Sequence, residues 1–441
     1  MLLKEALRIE PGQSVAFTGA GGKTTAIRRL AGELTRALIT TTTKLGHSQV
    51  DLAEHHFIDP TPAELGRIPQ LLKQSGIVLV TGPLSETGGK WTAPDGATLE
   101  ALPGLAAETG ATLLIEADGA RGRSIKAPAE HEPVVPNFTN KVVSMAAMDG
   151  LGQPVDSPAV HRPERVAELL GLDPSDTLGP VEFVRLLASP YGGLKGVPAG
   201  AEVRILLNKA DPARVAAGRE IAGLLLEASG IQAVVLAELQ AVSPAVESHG
   251  RVAGIVLAAG GSRRLGQSKQ LVEFRGRPLV WHAVRVGLEA GLSPLMVVVG
   301  AEGEPIRRAL EGEPVRVLDN PGWEAGQSSS VRAGLTSAEA GIEAAIFLLA
   351  DMPLMDAELV RQVVRTHRAT LAPLVAPRVA GRRANPVLFD RATFSALHQL
   401  KGDHGGRSLF DHYDPAWVEW TESAMLDLDT PEDLRRLRDR E

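Results

Sequence analysis

Short apolar runs alternate along the chain with segments in which apolar residues recur every three or four positions. Apolar runs bounded by glycine or proline are typical of strands buried in a parallel sheet, and the intervening spacing is typical of amphipathic helices. The alternation therefore predicts an α/β fold in both halves of the chain. The buried strands are predicted in residues 76–82, 111–120, 203–211, 294–301, 315–321, 344–353 and 372–379.

Two further apolar runs lead directly into a glycine-rich turn and then into a helical pattern. One covers residues 14–25 and the other residues 252–266. A strand, a glycine turn and a helix form the start of nucleotide-binding α/β domains. The sequence thus predicts two tandem nucleotide-binding α/β domains, a P-loop-like domain over residues 1–248 and a Rossmann-like domain over residues 249–441. A linker is expected near residues 243–250, and residues 150–200 are expected to form an irregular insertion or a small helical subdomain.

Composition excludes several kinds of protein. Of 441 residues, 44% are hydrophobic and 22% charged, and the formal net charge is −7, which argues against a general nucleic-acid or anionic-membrane surface. The chain has no cysteine, so disulfides, Cys-ligated zinc, iron–sulfur clusters and thiol nucleophiles are excluded. Apolar runs fall short of the roughly 20 residues that span a bilayer, and the first residues carry charges. We therefore expect a cytoplasmic protein that binds small molecules rather than nucleic acid or membranes.

The second glycine turn carries features of a triphosphate site. Gly260 and Gly261 follow a predicted strand, and glycines let backbone amides approach phosphate oxygens closely. Arg264 and Lys269 follow within the same segment and supply positive charge. The alternative, a glycine turn with solvated basic residues, explains the coincidence of strand, glycines and spaced cations less well.

Carboxylates later in the second domain are candidates for binding Mg²⁺. Asp351 stands at the end of a predicted strand, where ligands of open α/β sheets bind, and Mg²⁺ takes one or two carboxylates together with phosphate oxygens. Asp427 and Asp429 lie in an acidic segment near residue 430. The alternatives are local: Asp351 could form an Asx turn before Pro353, and Asp429 could cap the helix that follows.

The motifs of the second domain occur in the order seen in molybdenum cofactor cytidylyltransferases, members of the MobA-like nucleotidyltransferase superfamily. The segment from residue 252 to 437 resembles that family through LAAGGSRRLGQSK, NPGWEAGQSSSVRAGL, ADMP, ANPVLF, GDHGGRSLF and DLDTPEDL. The family's guanylyltransferase branch typically has LAGG at the first turn, whereas Ala258-Ala259-Gly260 resembles the cytidylyl branch. The family often has GHP where this chain has Ala384-Asn385-Pro386.

This resemblance implies a Rossmann-like nucleotidyltransferase whose substrates are CTP and the molybdenum cofactor and whose metal is Mg²⁺. It implies that Asp351, with Asp427 or Asp429, binds the metal, and that Arg264 and Lys269 stabilise the leaving pyrophosphate. The other implied residues border CTP or its acceptor: Leu257, Ala258, Ala259, Gly260, Gly261 and Ser330 on the nucleotide side, and Asn385 and Asp403 on the acceptor side.

The first glycine turn, FTGAGGKTT, is nearly a P-loop. Phe17 stands where the first glycine of that motif is expected, but Gly21, Gly22, Lys23 and Thr24 match it. Lysine at this place reaches the β- and γ-phosphates, and the threonine hydroxyl ligates Mg²⁺. The acids of the segment 116–118 are candidates for the metal-side carboxylate of P-loop enzymes.

A second motif of the first domain suggests a base preference. Asn208, Lys209 and Asp211 match the N-K-x-D pattern that reads guanine, and the motif follows a predicted strand. Four residues also match by chance, so the sequence predicts GTP or ATP as the ligand of this domain.

As a block, GAGGKTT, TTTTK, EADGARGRSIKAPAEHEPVVP and VHRPERVAELLGL resemble the YqeC-like family of selenium-dependent hydroxylase accessory proteins. The resemblance implies that the first domain assists maturation of a molybdenum hydroxylase client. Two alternatives stay open for the whole chain: a nucleotidyltransferase that uses GTP or another phosphorylated acceptor such as a sugar phosphate, and a nucleotide-gated chaperone that delivers the cofactor.

Overall fold

The structure, a computed structural model, describes residues 1–86, 88–261, 268–338, 341–403, 405–421, 428 and 430–438. The chain divides into two compact units, Met1–His249 and Gly250–Glu441. Both are α/β units, as the sequence predicts. None of the helices formed by the described residues is long and apolar enough to cross a membrane.

The first unit is built on a nine-stranded sheet with the order β13-β12-β11-β9-β1-β7-β2-β5-β4. Its strands are β1 (Ser14–Gly19), β2 (Ala37–Thr41), β3 (Leu45–Gly46), β4 (His55–Ile58), β5 (Ile77–Thr81), β6 (Lys90–Trp91), β7 (Thr112–Glu116), β8 (Ile125–Lys126), β9 (Lys141–Ala147), β10 (Val160–His161), β11 (Glu202–Asn208), β12 (Ala233–Ala237) and β13 (Ala245–Gly250). Strand β1 pairs in parallel with both β7 and β9. The chain therefore leaves β1 toward one side of the sheet and later returns to the other side, and ligands of open α/β sheets bind at such a reversal.

Helices cover the sheet of the first unit. They are α1 (Leu3–Ala6), α2 (Lys23–Glu33), α3 (Pro62–Leu65), α4 (Ile68–Ser75), α5 (Gly96–Thr109), α6 (Pro163–Leu170), α7 (Pro180–Leu187) and α8 (Val215–Glu227). Residues 150–200 hold the two short helices α6 and α7 joined by turns, and Phe183, Leu186 and Leu187 of α7 are buried in one hydrophobic cluster with Ile205 and Leu207 of β11. The predicted insertion is thus a small helical layer on the sheet.

The second unit contains a mixed sheet with the order β18-β17-β14-β19-β22-β20-β21, and β23 pairs with β20 outside this path. Its strands are β14 (Val252–Ala258), β15 (Glu273–Phe274), β16 (Arg277–Pro278), β17 (Leu295–Val299), β18 (Arg316–Asp319), β19 (Ala344–Leu349), β20 (Leu374–Val379), β21 (Arg382–Arg383), β22 (Val387–Asp390) and β23 (Pro415–Glu419). Its helices are α9 (Leu279–Glu289), α10 (Gly303–Ala309), α11 (Gln327–Ala338), α12 (Ala357–Thr370), α13 (Phe394–His398) and α14 (Pro431–Arg438). Strand β14 is parallel to both β17 and β19, so its carboxyl end also lies at a reversal of strand order.

Three sequence-based expectations differ from the structure. Residues 243–250, predicted as a linker, include strand β13 at the edge of the first sheet. Strand β18, predicted to be buried, is an edge strand whose residues are exposed or half-buried, because no strand covers its outer side. Strand β20, predicted to be parallel, pairs antiparallel with β21 and β22 and in parallel only with β23. An apolar run predicts a strand, but its place in the sheet and its direction depend on pairings that are distant in sequence.

Candidate functional site

The glycine turn of the second unit begins where β14 ends. Buried apolar residues of β14 lie between β17 and β19, which fixes the direction in which the chain enters the turn at Ala259–Gly261. The buried Gln270 side chain donates a hydrogen bond from Nε2 to the Gly260 carbonyl, 3.0 Å away. The Trp323 ring packs so closely on the turn that a Cβ at Gly261 would lie 3.0 Å from it. The turn is thus held from two sides.

A carboxylate and an ammonium group meet beside this turn. Asp351 follows β19 by two residues, and its Oδ2 atom lies 3.7 Å from Nζ of Lys269. The side chains are 29% and 15% exposed respectively, so both reach solvent. The pair lies at the carboxyl edge of the sheet, the place that the sequence predicts for a phosphate and metal site.

Two adjoining cavities open near the turn. The turn cavity has a volume of about 440 Å³ and is lined by the glycine turn, Asp351 and the start of α11. The hairpin cavity has a volume of about 470 Å³ and is lined by β21, apolar residues of β19 and β22, and residues 405–407. Leu257, Gln327 and Leu349 line both cavities, so the two share a wall.

The structure brings most of the predicted nucleotide-side residues together. The turn cavity is lined by the following predicted residues: Leu257, Ala259, Gly260, Gly261, Ser330, Asp351 and Asp403. Asn385 lines the hairpin cavity instead. Asp403 lines the turn cavity, because a close contact at Gly326 brings the 402–403 backbone next to the start of α11. The predicted role of Asn385 and Asp403 in facing the acceptor stays a prediction.

Ala258 does not line either of these cavities. It is 2% exposed and belongs to the hydrophobic core beneath the sheet, because alternate residues of a strand point to opposite faces. Its predicted part in shaping the base and ribose pocket therefore stays a prediction. Arg264, Asp427 and Asp429 lie outside the described residues, so their predicted roles stay predictions.

Three residues near the turn cavity were missed by sequence reasoning. Gln270 and Trp323 line it and hold the glycine turn. Asn320 donates from Nδ2 to the hydroxyls of Ser329 and Ser330, at 2.8 and 3.0 Å, and so orients the start of α11. Asn320 and Trp323 lie inside the motif that begins NPGWEAG, and Gln270 directly follows the motif that ends at Lys269, but nothing else in the sequence marks these three residues.

In the first unit, the glycine turn leads into α2, which begins at Lys23. Gly22 has φ of 122°, and a Cβ there would lie 2.8 Å from Nδ2 of Asn208, so the position requires glycine. The Lys23 ammonium donates to the Gly19 carbonyl at 2.6 Å and lies 3.0 Å from Oδ1 of Asp118. Both side chains of this ion pair are almost fully buried, at 4% and 2% exposure.

The hydroxyl of the following residue contacts a second acid. Thr24 Oγ1 donates to Oε2 of Glu116 at 3.0 Å, and Gln49 Nε2 donates to the same hydroxyl. Burial raises the pKa of Glu116, while the nearby Lys23 acts in the opposite direction. The turn therefore places a hydroxyl, a carboxyl group and an ammonium group at the amino end of α2.

A chain of ion pairs continues from Asp118. Lys126 Nζ lies 2.8 Å from Oδ2 of Asp118 and also contacts Glu132, which accepts two hydrogen bonds from Arg162, at 2.8 and 3.0 Å. Burial alone would raise the pKa of Glu132, but the hydrogen bonds from Arg162 and Lys126 outweigh it and lower the pKa to about 2. One carboxylate, Asp118, thus holds two lysines at once.

The N-K-x-D motif sits at the end of β11, beside the first glycine turn. Asn208 is buried and donates from Nδ2 to the Gly21 carbonyl at 2.7 Å, so the motif is attached to the turn. Lys209 Nζ donates to Asp149 at 2.5 Å. The Asp211 carboxylate accepts from the backbone amides of residues 213 and 214, both at 3.1 Å, and from the Arg214 guanidinium. Asn208 thus contacts the glycine turn and Asp211 uses its oxygens locally, and the base-reading role of the motif stays a prediction.

Each unit therefore presents a glycine turn after a buried parallel strand, with a lysine and a carboxylate beside it. This arrangement defines an α/β protein with a glycine turn at the carboxyl edge of the sheet in each unit.

Comparisons with known proteins match two separate segments of the chain to two different families. Residues 15–164 match the family described as YqeC protein, and residues 254–416 match the MobA-like NTP transferase domain. The chain is 32% identical over 238 residues to the uncharacterized protein YqeC of Escherichia coli (strain K12), covering 51% of this chain and 87% of that protein.

Two relatives match the second unit. One is the nicotine blue oxidoreductase of Paenarthrobacter nicotinovorans, 31% identical over 42% of this chain and 96% of that protein. The other is the molybdenum cofactor guanylyltransferase of Rhodobacter capsulatus, 31% identical over 43% of this chain and 96% of that protein. The chain belongs to the YqeC family through its first unit and to the MobA-like NTP transferase family through its second. The second unit is accordingly a nucleotidyltransferase domain.

Proposed function

We propose that the second unit transfers the cytidylyl group of CTP to the molybdenum cofactor. An oxygen of the cofactor's phosphate attacks the α-phosphorus of CTP, the bond from that phosphorus to the bridging oxygen breaks, and pyrophosphate leaves. The observation that carries this proposal is the pair of adjoining cavities beside one glycine turn, with Asp351 and Lys269 at the nucleotide-side cavity. Two substrates need two adjoining sites that meet where the new bond forms.

The turn cavity is the proposed site of CTP. The backbone amides of Gly260 and Gly261 are proposed to bind phosphate oxygens, and Lys269, with Arg264, to offset the charge that develops on pyrophosphate. Leu257, Ala259 and Ser330 border the ribose and base in this proposal. Asp403 lines the same cavity and is proposed to face the acceptor as it enters from the hairpin cavity, which Asn385 lines.

The donor set at Asp351 fits Mg²⁺. Mg²⁺ is bound in proteins through one or two carboxylates, with phosphate oxygens and waters completing the octahedron, and the Asp351 carboxylate is partly exposed beside the cavity. Within the described ranges, no group of three or more acids and histidines could hold a metal by itself. We propose Asp351 as one ligand and Asp427 or Asp429 as the second. When bound, the ion polarises the phosphate oxygens of CTP.

The experiment that tests the metal role compares two aspartates of the same sheet edge. Asp351→Asn should abolish pyrophosphate release from CTP and the molybdenum cofactor with Mg²⁺ while leaving the melting temperature unchanged. Asp319, at the end of β18, is 74% exposed and pairs with Arg307, so Asp319→Asn is the matched control and should keep turnover. Near wild-type turnover of Asp351→Asn would refute the proposed role of Asp351 as a metal ligand.

The choice of CTP rests on the turn residues. Ala258-Ala259-Gly260 resembles the cytidylyl branch, whereas the relative from Rhodobacter capsulatus is named a guanylyltransferase. GTP is therefore the second candidate donor. Measuring kcat/KM for CTP and GTP on the full chain decides between them, and a GTP preference would move the protein to the guanylyl branch.

We also propose that the first unit binds GTP or ATP and assists maturation of a molybdenum hydroxylase. The turn at Gly21 and Gly22, the Lys23 ammonium and the Thr24 hydroxyl are the proposed contacts of the phosphates. Lys23 would leave Asp118 for a phosphate, and the carboxylate would keep a cationic partner because Lys126 remains on it.

For this unit to recognise guanine, the Asp211 carboxylate must change its hydrogen-bond partners. Its carboxylate would give up the contact with Arg214 and accept the ring N–H and amino protons of guanine. Lys23→Ala should weaken binding of GTP and ATP alike in calorimetry on the full chain, whereas Asp211→Asn should weaken GTP alone. Equal affinity of the wild type for GTP and ATP would refute the base-reading role of Asp211, and no Lys23-dependent binding would refute the phosphate site as well.

A further inference from the structure

Three arginine side chains border the hairpin cavity. Arg382 and Arg383 form β21, and Arg407 follows the two glycines at residues 405–406. None of the three has a carboxylate within salt-bridge distance among the described residues. On the paired strand β20, by contrast, Arg378 lies opposite Arg383 in the register and forms an ion pair with Glu419. Among the described residues, the cavity thus carries three arginines that form no ion pair of their own.

The Arg383 guanidinium is held in place by an aromatic ring. Its central carbon lies 4.2 Å from the centroid of Phe410, within the range of a cation–π contact. Burial lowers the pKa of Arg383, the charge of Arg407 lowers it further, and Asp411 acts in the opposite direction. Since Arg407 disfavours the charge on Arg383, an anion between the two guanidinium groups would relieve their repulsion.

Arg407 enters the cavity next to the wall that the two cavities share. A Cβ at Gly405 would lie 2.6 Å from Oε1 of Gln327, which lines both cavities, and a Cβ at Gly406 would lie 2.2 Å from the Phe389 ring. The backbone of residues 405–406 therefore lies close against the Gln327 side chain of α11 and the Phe389 ring of β22. The residue that follows them is therefore anchored close to the junction.

Nucleotidyl transfer requires two negatively charged phosphates to approach each other at that junction. The attacking group is an anionic phosphate, and it must approach the α-phosphate of a triphosphate that is itself negatively charged. On the nucleotide side, Lys269 and the glycine amides are available to offset charge. Without cations on the acceptor side as well, repulsion between the two phosphates would oppose their approach.

We propose that Arg383 and Arg407 bind the phosphate of the acceptor and hold it at the junction of the two cavities. This inference rests on the proposed nucleotidyl transfer and identifies how its acceptor is selected. Guanidinium groups bind phosphate through paired hydrogen bonds, and removal of one such contact weakens binding strongly. Apolar side chains of the same cavity, Phe347 and Phe389 among them, are the surface for the ring system of the acceptor. The acceptor class is thus a phosphorylated compound with a flat ring system.

The test uses the full chain and two probes, metal-free molybdopterin and its dephosphorylated form. Arg383→Gln and Arg407→Gln should each raise the Kd of the phosphorylated probe by about tenfold or more, because each removes a charge-assisted contact. The Kd of the dephosphorylated probe and the KM of CTP should stay within about twofold of wild type. Arg378→Gln is the control, since its ion pair with Glu419 lies outside the cavity lining, and it should leave both probes unaffected.

Three possible results distinguish failure of the phosphate-binding inference from failure of the proposed nucleotidyl transfer. If both variants bind the phosphorylated probe as tightly as wild type, the phosphate role is wrong. If the two probes lose affinity equally, the arginines contact the ring system and the phosphate role is also wrong. If the wild type releases no pyrophosphate from CTP or GTP, the proposed reaction fails, and a selective loss of the phosphorylated probe in the variants would still support the anion site.

Discussion

Asn208 is the residue whose loss should most disturb the first glycine turn. Its side chain is 7% exposed and makes two hydrogen bonds to backbone that is remote in sequence. Nδ2 donates to the Gly21 carbonyl at 2.7 Å, and Oδ1 accepts from the amide of Leu239 at 3.1 Å. We expect Asn208→Ala to loosen the glycine turn and the start of α2 together, because one side chain ties the turn to the end of β12.

The expected loss of folding free energy follows from the two backbone groups that lose their hydrogen-bond partner. Alanine removes both contacts and leaves a carbonyl and an N–H buried without a partner, and each such group costs roughly 1–3 kcal/mol. Together they amount to about 2–6 kcal/mol, a large part of the roughly 5–15 kcal/mol that stabilises a typical domain. Asn208→Asp should cost at least as much, because its second oxygen would face the Gly21 carbonyl.

The assay must report on the first unit alone, since two units do not unfold as one transition. Hydrogen–deuterium exchange of peptides from residues 14–33 and 233–241 gives the local free energy of opening in the full chain. Asn140→Ala is the matched control, because its Oδ1 accepts one hydrogen bond, from the Ser14 amide at 2.8 Å, at a partly exposed site. We expect the control to lose about 1 kcal/mol or less. An Asn208→Ala variant as stable as this control would refute the reasoning.

Three further perturbations have a defined direction. Glu132 has a pKa of about 2, below its ordinary 4.5, so its stabilising effect is present above pH 4.5 and is lost as the pH falls toward 2. Between pH 6 and pH 3, wild type should therefore lose about 1 kcal/mol more stability than Glu132→Gln in urea denaturation, after allowance for its partial exposure. Gly406→Ala puts a Cβ 2.2 Å from the Phe389 ring, so it should cost about 1–3 kcal/mol and raise the KM of the acceptor but not of CTP. Gln270→Ala removes the 3.0 Å hydrogen bond to the Gly260 carbonyl and should raise the KM of CTP severalfold, and an unchanged KM would separate the turn from nucleotide binding.

Local patterns predicted the parts of the fold that local physics decides. Each apolar run predicted as a strand forms one, and both glycine turns follow buried parallel strands, because a parallel sheet covered by helices on both faces buries continuous apolar runs. The exposure of β18 and the antiparallel pairing of β20 were not predictable in this way. They depend on which strand ends the sheet and which strands meet, and segments far apart in sequence decide both.

The residues of the candidate sites also fall into those that local sequence marks and those that only the fold brings together. Lys23 and Asp351 were found because a motif or a strand end marks them directly. Gln270 and the arginines of the hairpin cavity carry no such mark, since a glutamine or arginine in a turn is ordinary in a sequence. Their place in the fold depends on pairings across it: Gln270 donates a hydrogen bond to Gly260, and Arg383 and Arg407 line one cavity although they lie on separate segments.

The two glycine turns are held by the same physical device in unlike sheets. In each, a buried carboxamide donates to a carbonyl of the turn: Asn208 to Gly21 at 2.7 Å, and Gln270 to Gly260 at 3.0 Å. A donor on the carbonyl fixes the peptide plane, and a fixed plane keeps neighbouring amides directed at the proposed phosphate sites. The lysines beside the two turns differ, however, in how deeply they are buried.

Lys23 is buried against Asp118 at 3.0 Å, whereas Lys269 is partly exposed and lies 3.7 Å from Asp351. A buried ion pair resists separation more than an exposed one, since each charge would be left in a poorly solvated place. A ligand of the first turn must therefore replace an existing ionic contact, while a ligand of the second turn meets a lysine that solvent already reaches. We accordingly expect the first unit to bind nucleotides more slowly than the second, and stopped-flow binding to the full chain with Lys23→Ala and Lys269→Ala variants measures both rates. Equal association rates at the two sites would contradict this argument.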